Sequence, residues 1–305
     1  MLVKENQAKM QKGKSVDAVV ENYDALKGLI EKNLEAFELK ELIDVGGESY
    51  VYKSFIKKIK KPVTMKIIYN KEKHANNIKE IKIANKLKNQ NIINFMGMKN
   101  IKQENYDIDC LILEYSKLGN LRHFQKHCLK KLYLSESMLC YFSYQILKGL
   151  RYCHMNKVAH YDIKPQNIII DNHLDLKIID FSISIDYKNL RNKIKLPNQG
   201  TNHYMAPEVL NSEVINIKDL EKLDLYSLGV MLYSFSNNSY PYESSNESTT
   251  CGNYKDEKIN VLELKNNNNT NYSILEEKEK LNNANIFLSY LMYNYFINFN
   301  NYICL

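Results

Sequence analysis

The sequence predicts an α+β fold in two parts, a small sheet part followed by a mainly helical part. Short β-type segments with one helical stretch between them occupy the chain before residue 116. Apolar residues at helical spacing dominate between residues 135 and 235. After residue 242 Ser, Asn, Thr, Glu and Lys prevail, a low-complexity composition that predicts a third region unable to bury a core of its own.

The elements of the sheet part follow an amphipathic helix. Apolar residues at helical spacing predict this helix from Ser15 to about Glu41, packed on the part that follows it. Strands are then predicted over Leu42–Lys53, Val63–Tyr69 and Asp109–Tyr115, with a helix over Lys71–Lys88.

The helical part has two long predicted helices. One runs from Ser135 to His154 and the other from Asp219 to Phe235. Between them, residues 158–180 alternate short apolar runs with polar turns.

Composition and charge narrow the classes of function. The 305-residue chain has 44% hydrophobic and 25% charged residues, as globular proteins do. Its net charge is +7, yet only Arg122, Arg151 and Arg191 are arginines, so nucleic-acid binding is not expected, because bidentate recognition of phosphates and bases favours guanidinium.

The expected location is cytoplasmic, with a nuclear location left open. Six scattered cysteines predict a reduced setting, and the polar first 14 residues predict no export signal. The apolar stretch 286–305 is interrupted by four asparagines, so no membrane anchor is expected.

Three motifs in the helical part carry the chemistry. The segment His160-Tyr161-Asp162-Ile163-Lys164-Pro165-Gln166-Asn167 precedes Asp180-Phe181-Ser182 and then Ala206-Pro207-Glu208. In this order and spacing the chain resembles the Ser/Thr branch of the eukaryotic protein kinase family from about Phe37 to Tyr242.

The resemblance implies a two-lobed fold. Residues 37–115 would form an N-lobe with an antiparallel sheet and one helix, and residues 116–242 a partial, mainly helical C-lobe. Residues 1–36 would be a helical extension, and residues 243–305 a low-complexity insert with a divergent C-terminal tail.

The implied activity is transfer of the ATP γ-phosphoryl group to serine or threonine hydroxyls of a protein substrate, with Mg²⁺ as cofactor. Asp162 matches the catalytic aspartate, and Lys164 and Lys66 match the lysines beside the phosphates. Asn167 and Asp180 match the two metal ligands, whose oxygens suit Mg²⁺.

The same resemblance implies the nucleotide contacts and an ion pair between Lys66 and Glu80. Leu113 matches the gatekeeper, and the backbone from Glu114 to Ser116 would face the adenine. The full set of implied nucleotide contacts is Ile43, Gly46, Val51, Met65, Lys66, Glu80, Leu113, Glu114, Ser116 and Ile169. Thr201 and Asp224 match structural supports of the catalytic loop.

Three departures from the family pattern affect function. Asp44, Gly46 and Ser49 occupy the three positions of the glycine-rich loop, which predicts weaker or more Mg²⁺-dependent nucleotide binding. Met65 is expected to crowd the adenine. Tyr161 replaces the arginine that pairs with a phosphorylated activation segment, so we expect activity that does not require that phosphorylation.

The C-terminal region also departs. No arginine follows Arg191 to pair with Glu208, so either Lys255 or Lys258 substitutes or the region from 262 onward is a divergent ending. The degenerate loop and this ending leave a second reading open, a pseudokinase that binds partners with little catalysis.

Overall fold

The computed structural model describes residues 23–45, 49–69, 74–103, 106–127, 136–237 and 240–241. The chain divides into two compact units, the first comprising residues up to 88 with 92–117 and the second comprising 89–91 with residues from 118 onward. Gly46, residues 15–22 of the predicted first helix and the predicted tail at 243–305 lie outside the described residues.

Among its described residues, the first unit contains a five-stranded antiparallel sheet and two α-helices. The sheet has the order β1-β2-β3-β5-β4. Its strands are β1 (Phe37–Val45), β2 (Ser49–Ile56), β3 (Lys61–Ile68), β4 (Phe95–Gln103) and β5 (Tyr106–Glu114). Helix α1 (Tyr23–Asn33) precedes the sheet, and helix α2 (His74–Lys86) lies between β3 and β4 in the chain. The predicted N-lobe arrangement of an antiparallel sheet with one internal helix is confirmed.

Helix α1 is part of the core of this unit. Leu26 and Ile30, spaced one turn apart, are fully buried in the same apolar cluster as Tyr52 and Met65 of the sheet. Burying such side chains contributes about 1.5–3 kcal/mol each relative to exposure, so α1 stabilises the sheet that it covers.

The predicted end of the first helix is wrong. Helix α1 ends at Asn33 and residues 37–41 belong to β1, which pairs with β2. The carboxylate of Glu31 accepts a hydrogen bond of 3.0 Å from the Leu39 N–H, which ties the helix to the start of the strand. Apolar spacing near Phe37 suits both structures, and pairing with a distant strand decides between them.

The single strand predicted over Leu42–Lys53 is also wrong. The described residues of this stretch, 42–45 and 49–53, belong to two antiparallel strands, with Leu42 opposite Tyr52 and Asp44 opposite Val51. The Gly46-Gly47 pair inside this stretch is a turn signal, and the prediction of one strand did not use it.

The described part of the second unit combines helices with three two-stranded sheets. The helices are α3 (Leu121–His127), α4 (Glu136–Met155), α5 (Pro207–Leu210) and α6 (Leu220–Asn237). The strands are β6 (Val158–Ala159), β7 (Ile168–Ile170), β8 (Leu176–Ile178), β9 (Ile185–Asp186), β10 (Lys193–Lys195) and β11 (Val214–Asn216), paired as β6-β9, β7-β8 and β10-β11. The two long helices predicted here are confirmed as α4 and α6.

Helix α4 shows why its prediction succeeded. Leu139, Phe142, Ile146 and Leu150 recur at helical spacing and are all buried.

No helix among the described residues is long and apolar enough to cross a membrane.

Candidate active site

An ion pair joins β3 to α2 in the first unit. The ammonium of Lys66 lies 3.3 Å and 3.5 Å from the two carboxylate oxygens of Glu80. The side chains are only 16% and 8% exposed, so the pair is screened less than a surface pair would be. The ion pair that the family resemblance implied is therefore formed.

The two faces of β3 separate Lys66 from Met65. Met65 is fully buried with Leu26 and Ile30 of α1, whereas Lys66 points to the opposite face because side chains alternate along a strand. Met65 therefore does not line a nucleotide site beside Lys66, which corrects the expectation that it crowds the adenine.

Thr64 occupies the position that was expected of Met65. It lies two residues before Lys66, on the same face, and pairs in register with Leu113 of β5. Sequence reasoning missed Thr64, although strand alternation counted back from Lys66 could have found it.

Four further predicted nucleotide contacts of the first unit lie on β1, β2 or β5 or just after β5. Val51 is directly opposite Lys66 on β2, and Leu113 packs with Leu111 of β5. Ile43 on β1 is 36% exposed, and Ser116, which follows β5, is half-buried.

Two hydrogen bonds with Asn94 limit which backbone atom of Glu114 can contact an adenine. Its backbone N–H donates to the Asn94 carbonyl at 3.1 Å, and its carboxylate accepts a 2.7 Å bond from the Asn94 N–H. An adenine contact from the Glu114 backbone would therefore have to use its carbonyl.

The predicted catalytic residues of the second unit converge on the Asp162 carboxylate. Lys164 donates to Oδ2 at 2.6 Å and the Asn167 amide donates to the same oxygen at 2.8 Å. Thr201 donates to Oδ1 at 3.1 Å and accepts a 2.8 Å bond from Lys164. Both oxygens of Asp162 are thus fixed in position by side chains from two segments.

Asp224 of α6 holds the backbone of this loop. Its carboxylate accepts the N–H of His160 at 2.8 Å and of Tyr161 at 2.7 Å, and it lies 2.7 Å from Nε2 of His154. Burial acts to raise the pKa of Asp224, but the hydrogen bond and charge of His154, with His160 and the Tyr161 N–H, hold the pKa below its ordinary value. Sequence reasoning identified Asp224 and missed His154.

Tyr161 needs this support because its backbone is strained. Its φ is +71°, in the left-handed region that a bulky side chain rarely adopts. Such strain costs on the order of 1–3 kcal/mol and persists only where surrounding bonds enforce it. The charged acceptor on Asp224 supplies that constraint.

The two predicted metal ligands belong to adjoining segments. The Ile179 N–H donates to the Asn167 carbonyl at 2.9 Å, which brings the residue before Asp180 beside Asn167. The Asn167 Nδ2 group is used by Asp162, so its Oδ1 is the atom suited to a cation. An amide oxygen and a carboxylate fit Mg²⁺, which completes its shell with water and phosphate and does not need a cage of protein ligands.

Ile169, the predicted nucleotide contact of the second unit, lies at the centre of β7. It is half-buried, whereas its neighbours Ile168 and Ile170 on the other face are fully buried. The strand alternation leaves the Ile169 side chain on the more open face.

Tyr161 also binds the segment that follows Asp180. Its hydroxyl donates to the Pro197 carbonyl at 2.8 Å, and its side chain is buried. Burial raises the pKa of Tyr161 to about 12, so the phenol stays neutral and able to donate at physiological pH.

Glu208 at the start of α5 is half-buried, not fully buried. Within the part of the chain that the structure describes, its carboxylate has no hydrogen bond or ion pair. Partial exposure makes an unpaired charge less costly than full burial would. Lys255 and Lys258, the expected substitutes for the missing arginine, lie outside the described residues.

Comparisons with known proteins agree with this geometry. A family model described as the protein kinase domain matches residues 37–293. An Aurora kinase of Patiria pectinifera is 31% identical over 223 residues, covering 72% of this chain and 52% of that protein. Mouse (Mus musculus) Aurora kinase B is 30% identical over 222 residues, covering 71% and 60%.

A human (Homo sapiens) receptor-interacting serine/threonine-protein kinase 1 is 32% identical over 180 residues, covering 55% of this chain and 26% of that protein. The chain thus spans between about a quarter and three fifths of the length of these three relatives. A family match over most of the chain, together with the paired Lys66 and Glu80 and the anchored Asp162, shows that the chain belongs to the protein kinase family.

Proposed function

We propose that the protein is an ATP-dependent serine/threonine kinase. The observation that carries the proposal is the Asp162 carboxylate, fixed by Lys164, Asn167 and Thr201. Phosphoryl transfer needs a positioned acceptor and stabilised charge more than it needs covalent chemistry from the protein.

Each residue has a role in the proposed reaction. The substrate hydroxyl oxygen attacks the γ-phosphorus, the bond between that phosphorus and the ADP oxygen breaks, and Asp162 accepts the hydroxyl proton. Lys164 stabilises negative charge on the transferred group, and Lys66, oriented by Glu80, holds the α- and β-phosphates. Asn167 and Asp180 would hold Mg²⁺, which supplies charge neutralisation at the phosphates when bound.

We further propose that activity does not require phosphorylation of the activation segment, the stretch from the motif at Asp180 to the motif at Glu208. The Tyr161 hydroxyl already anchors Pro197, at the place where an arginine would otherwise need a phosphate. The Tyr161 hydrogen bond is neutral and needs no modification, whereas an arginine pairs with the segment only after the segment is phosphorylated.

Candidate acceptor hydroxyls in this segment are mostly inaccessible. Ser184 is fully buried and donates to the His160 carbonyl at 3.0 Å, and Tyr187 donates to the Glu221 carboxylate at 2.7 Å. Tyr204 is 5% exposed. Phosphorylation of these residues would require the segment to open first, which supports activity in the unmodified state.

Phosphate transfer to a serine peptide tests the enzymatic proposal. The wild type should phosphorylate the peptide in the presence of Mg²⁺ and ATP, and Asp162→Asn and Lys66→Met should do so far more slowly, with folding checked by circular dichroism. Binding of ATP without transfer above the variants would favour the pseudokinase reading, which the degenerate loop at residues 44–49 supports.

Phosphatase treatment tests the regulatory proposal. Protein shown by mass spectrometry to lack phosphate should keep its activity. Loss of activity that only re-phosphorylation restores would overturn independence while leaving the kinase assignment intact.

A further inference from the structure

An exposed basic run crosses the activation segment. Lys188, Arg191, Lys193 and Lys195 are all exposed, and no acidic residue occurs from 187 to 207. Among the described residues, none of these four cations forms an ion pair or a side-chain hydrogen bond. These four side chains are therefore available to pair with carboxylates of another molecule.

The strand β10 holds the end of this run in place. Lys193 and Lys195 pair in register with Asn216 and Val214 of β11. Ile194 between them packs against the apolar cluster of the second unit, so the two lysines point to the opposite, solvent side. The pairing presents two ammonium groups on one face of a strand.

The run leads directly to the Asp162 carboxylate. Pro197 is fixed by Tyr161, and a Cβ placed on Gly200 would lie 3.5 Å from Asp162 Oδ1. Thr201 contacts Asp162 through its hydroxyl. Lys195 is six residues before Thr201, a separation of at most about 20 Å even for a fully extended chain.

We propose that this basic run selects acceptor peptides that carry acidic side chains within about six residues of the phosphorylated hydroxyl. The inference rests on the proposed kinase activity and adds the class of substrate. Carboxylates on the peptide pair with Lys193, Lys195 and their neighbours, whereas a basic peptide is repelled. Each exposed pair contributes modestly, so the preference arises from several pairs together.

Three synthetic peptides test the preference with the full chain. Each has one central serine, flanked on both sides by Asp and Glu, by Gln, or by Lys. At low salt the wild type should show a kcat/KM for the acidic peptide about 3- to 30-fold above that for the Gln peptide, the effect expected of two or three exposed ion pairs. The difference should lie mainly in KM and should shrink as salt rises.

Charge substitutions locate the effect. Lys193→Glu/Lys195→Glu should abolish or invert the preference, and Lys193→Gln/Lys195→Gln should reduce it. The matched control is Lys58→Glu/Lys61→Glu, two exposed lysines of the first unit with the same change in net charge, which should keep the wild-type ratio.

The outcomes separate the two proposals. Equal use of all three peptides by the wild type, or the same loss of preference in the control, would overturn the basic run while leaving the kinase assignment in place. Transfer to none of the peptides would overturn the kinase assignment and this inference with it.

Discussion

Replacing Tyr161 by Phe removes the hydroxyl that donates to the Pro197 carbonyl at 2.8 Å and leaves the buried ring in place. A hydrogen bond of this kind contributes about 1 kcal/mol net. The Pro197 carbonyl keeps a 2.9 Å hydrogen bond from the Gln199 N–H and Pro197 is exposed as a residue, so no acceptor is orphaned. The expected loss is thus about 1 kcal/mol, or roughly a fivefold rise in the equilibrium for opening of the segment.

Hydrogen exchange measures that opening. The Gln199 amide, which donates to the Pro197 carbonyl at 2.9 Å, should exchange about fivefold faster in Tyr161→Phe than in the wild type, following the opening equilibrium. Amides of β1–β5 in the first unit should not change. The control is Tyr144→Phe, whose ring is 53% exposed on α4. Identical exchange in Tyr161→Phe and the wild type would refute the idea that the phenol anchors the segment.

Three further predictions follow from packing, hydrogen bonding and titration. In urea unfolding, Gly149→Ala should lower the free energy of unfolding by about 1–3 kcal/mol, because the new methyl would lie 2.9 Å from the Asn91 carbonyl. Gly28 is exposed on α1 with open space around it, so Gly28→Ala should raise the free energy of unfolding by up to about 1 kcal/mol. Thr201→Ala should lower kcat about tenfold, which corresponds to about 1.4 kcal/mol for the lost hydrogen bonds to Asp162 and Lys164. Thr201→Ser should keep most of the wild-type kcat, because it keeps the hydroxyl. Equal rates for the two variants would contradict the role of that hydroxyl. Burial raises the pKa of Tyr161 to about 12, so as pH rises the unfolded chain releases the phenolic proton first. In pH-dependent thermal unfolding, the stability of the wild type should therefore fall more steeply between about pH 10 and 12 than that of Tyr161→Phe. Parallel curves for the two proteins would count against this burial.

Local periodicity was enough for elements whose signal is contained in their own residues. Helix α4 was predicted over Ser135–His154 and is observed over Glu136–Met155, because one face of apolar residues recurs along its whole length. The boundary between α1 and β1 could not be read in the same way. Residues 37–41 become a strand through pairing with β2, a contact between distant parts of the chain that spacing does not encode.

In the candidate site, too, local motifs were readable from the sequence and contacts between distant residues were not. The motif around Asp162 named the residues of the site, and the structure adds the hydrogen bonds that Lys164 and Asn167 donate to Asp162. The motif did not show that Tyr161 would bind Pro197, since 36 residues separate the two in the chain. Met65 and Thr64 were within reach of sequence reasoning, because alternation along β3 places only Thr64 on the face of Lys66.

The most direct measurement is the rate of phosphate transfer from Mg²⁺·ATP to a serine peptide by the wild type and by Asp162→Asn. General-base assistance contributes roughly 10²- to 10⁴-fold, so the variant should lose about that factor while it still binds nucleotide. Equal rates for the two proteins, or no transfer by a folded wild type that binds ATP, would contradict the assignment of this protein as a kinase that uses Asp162.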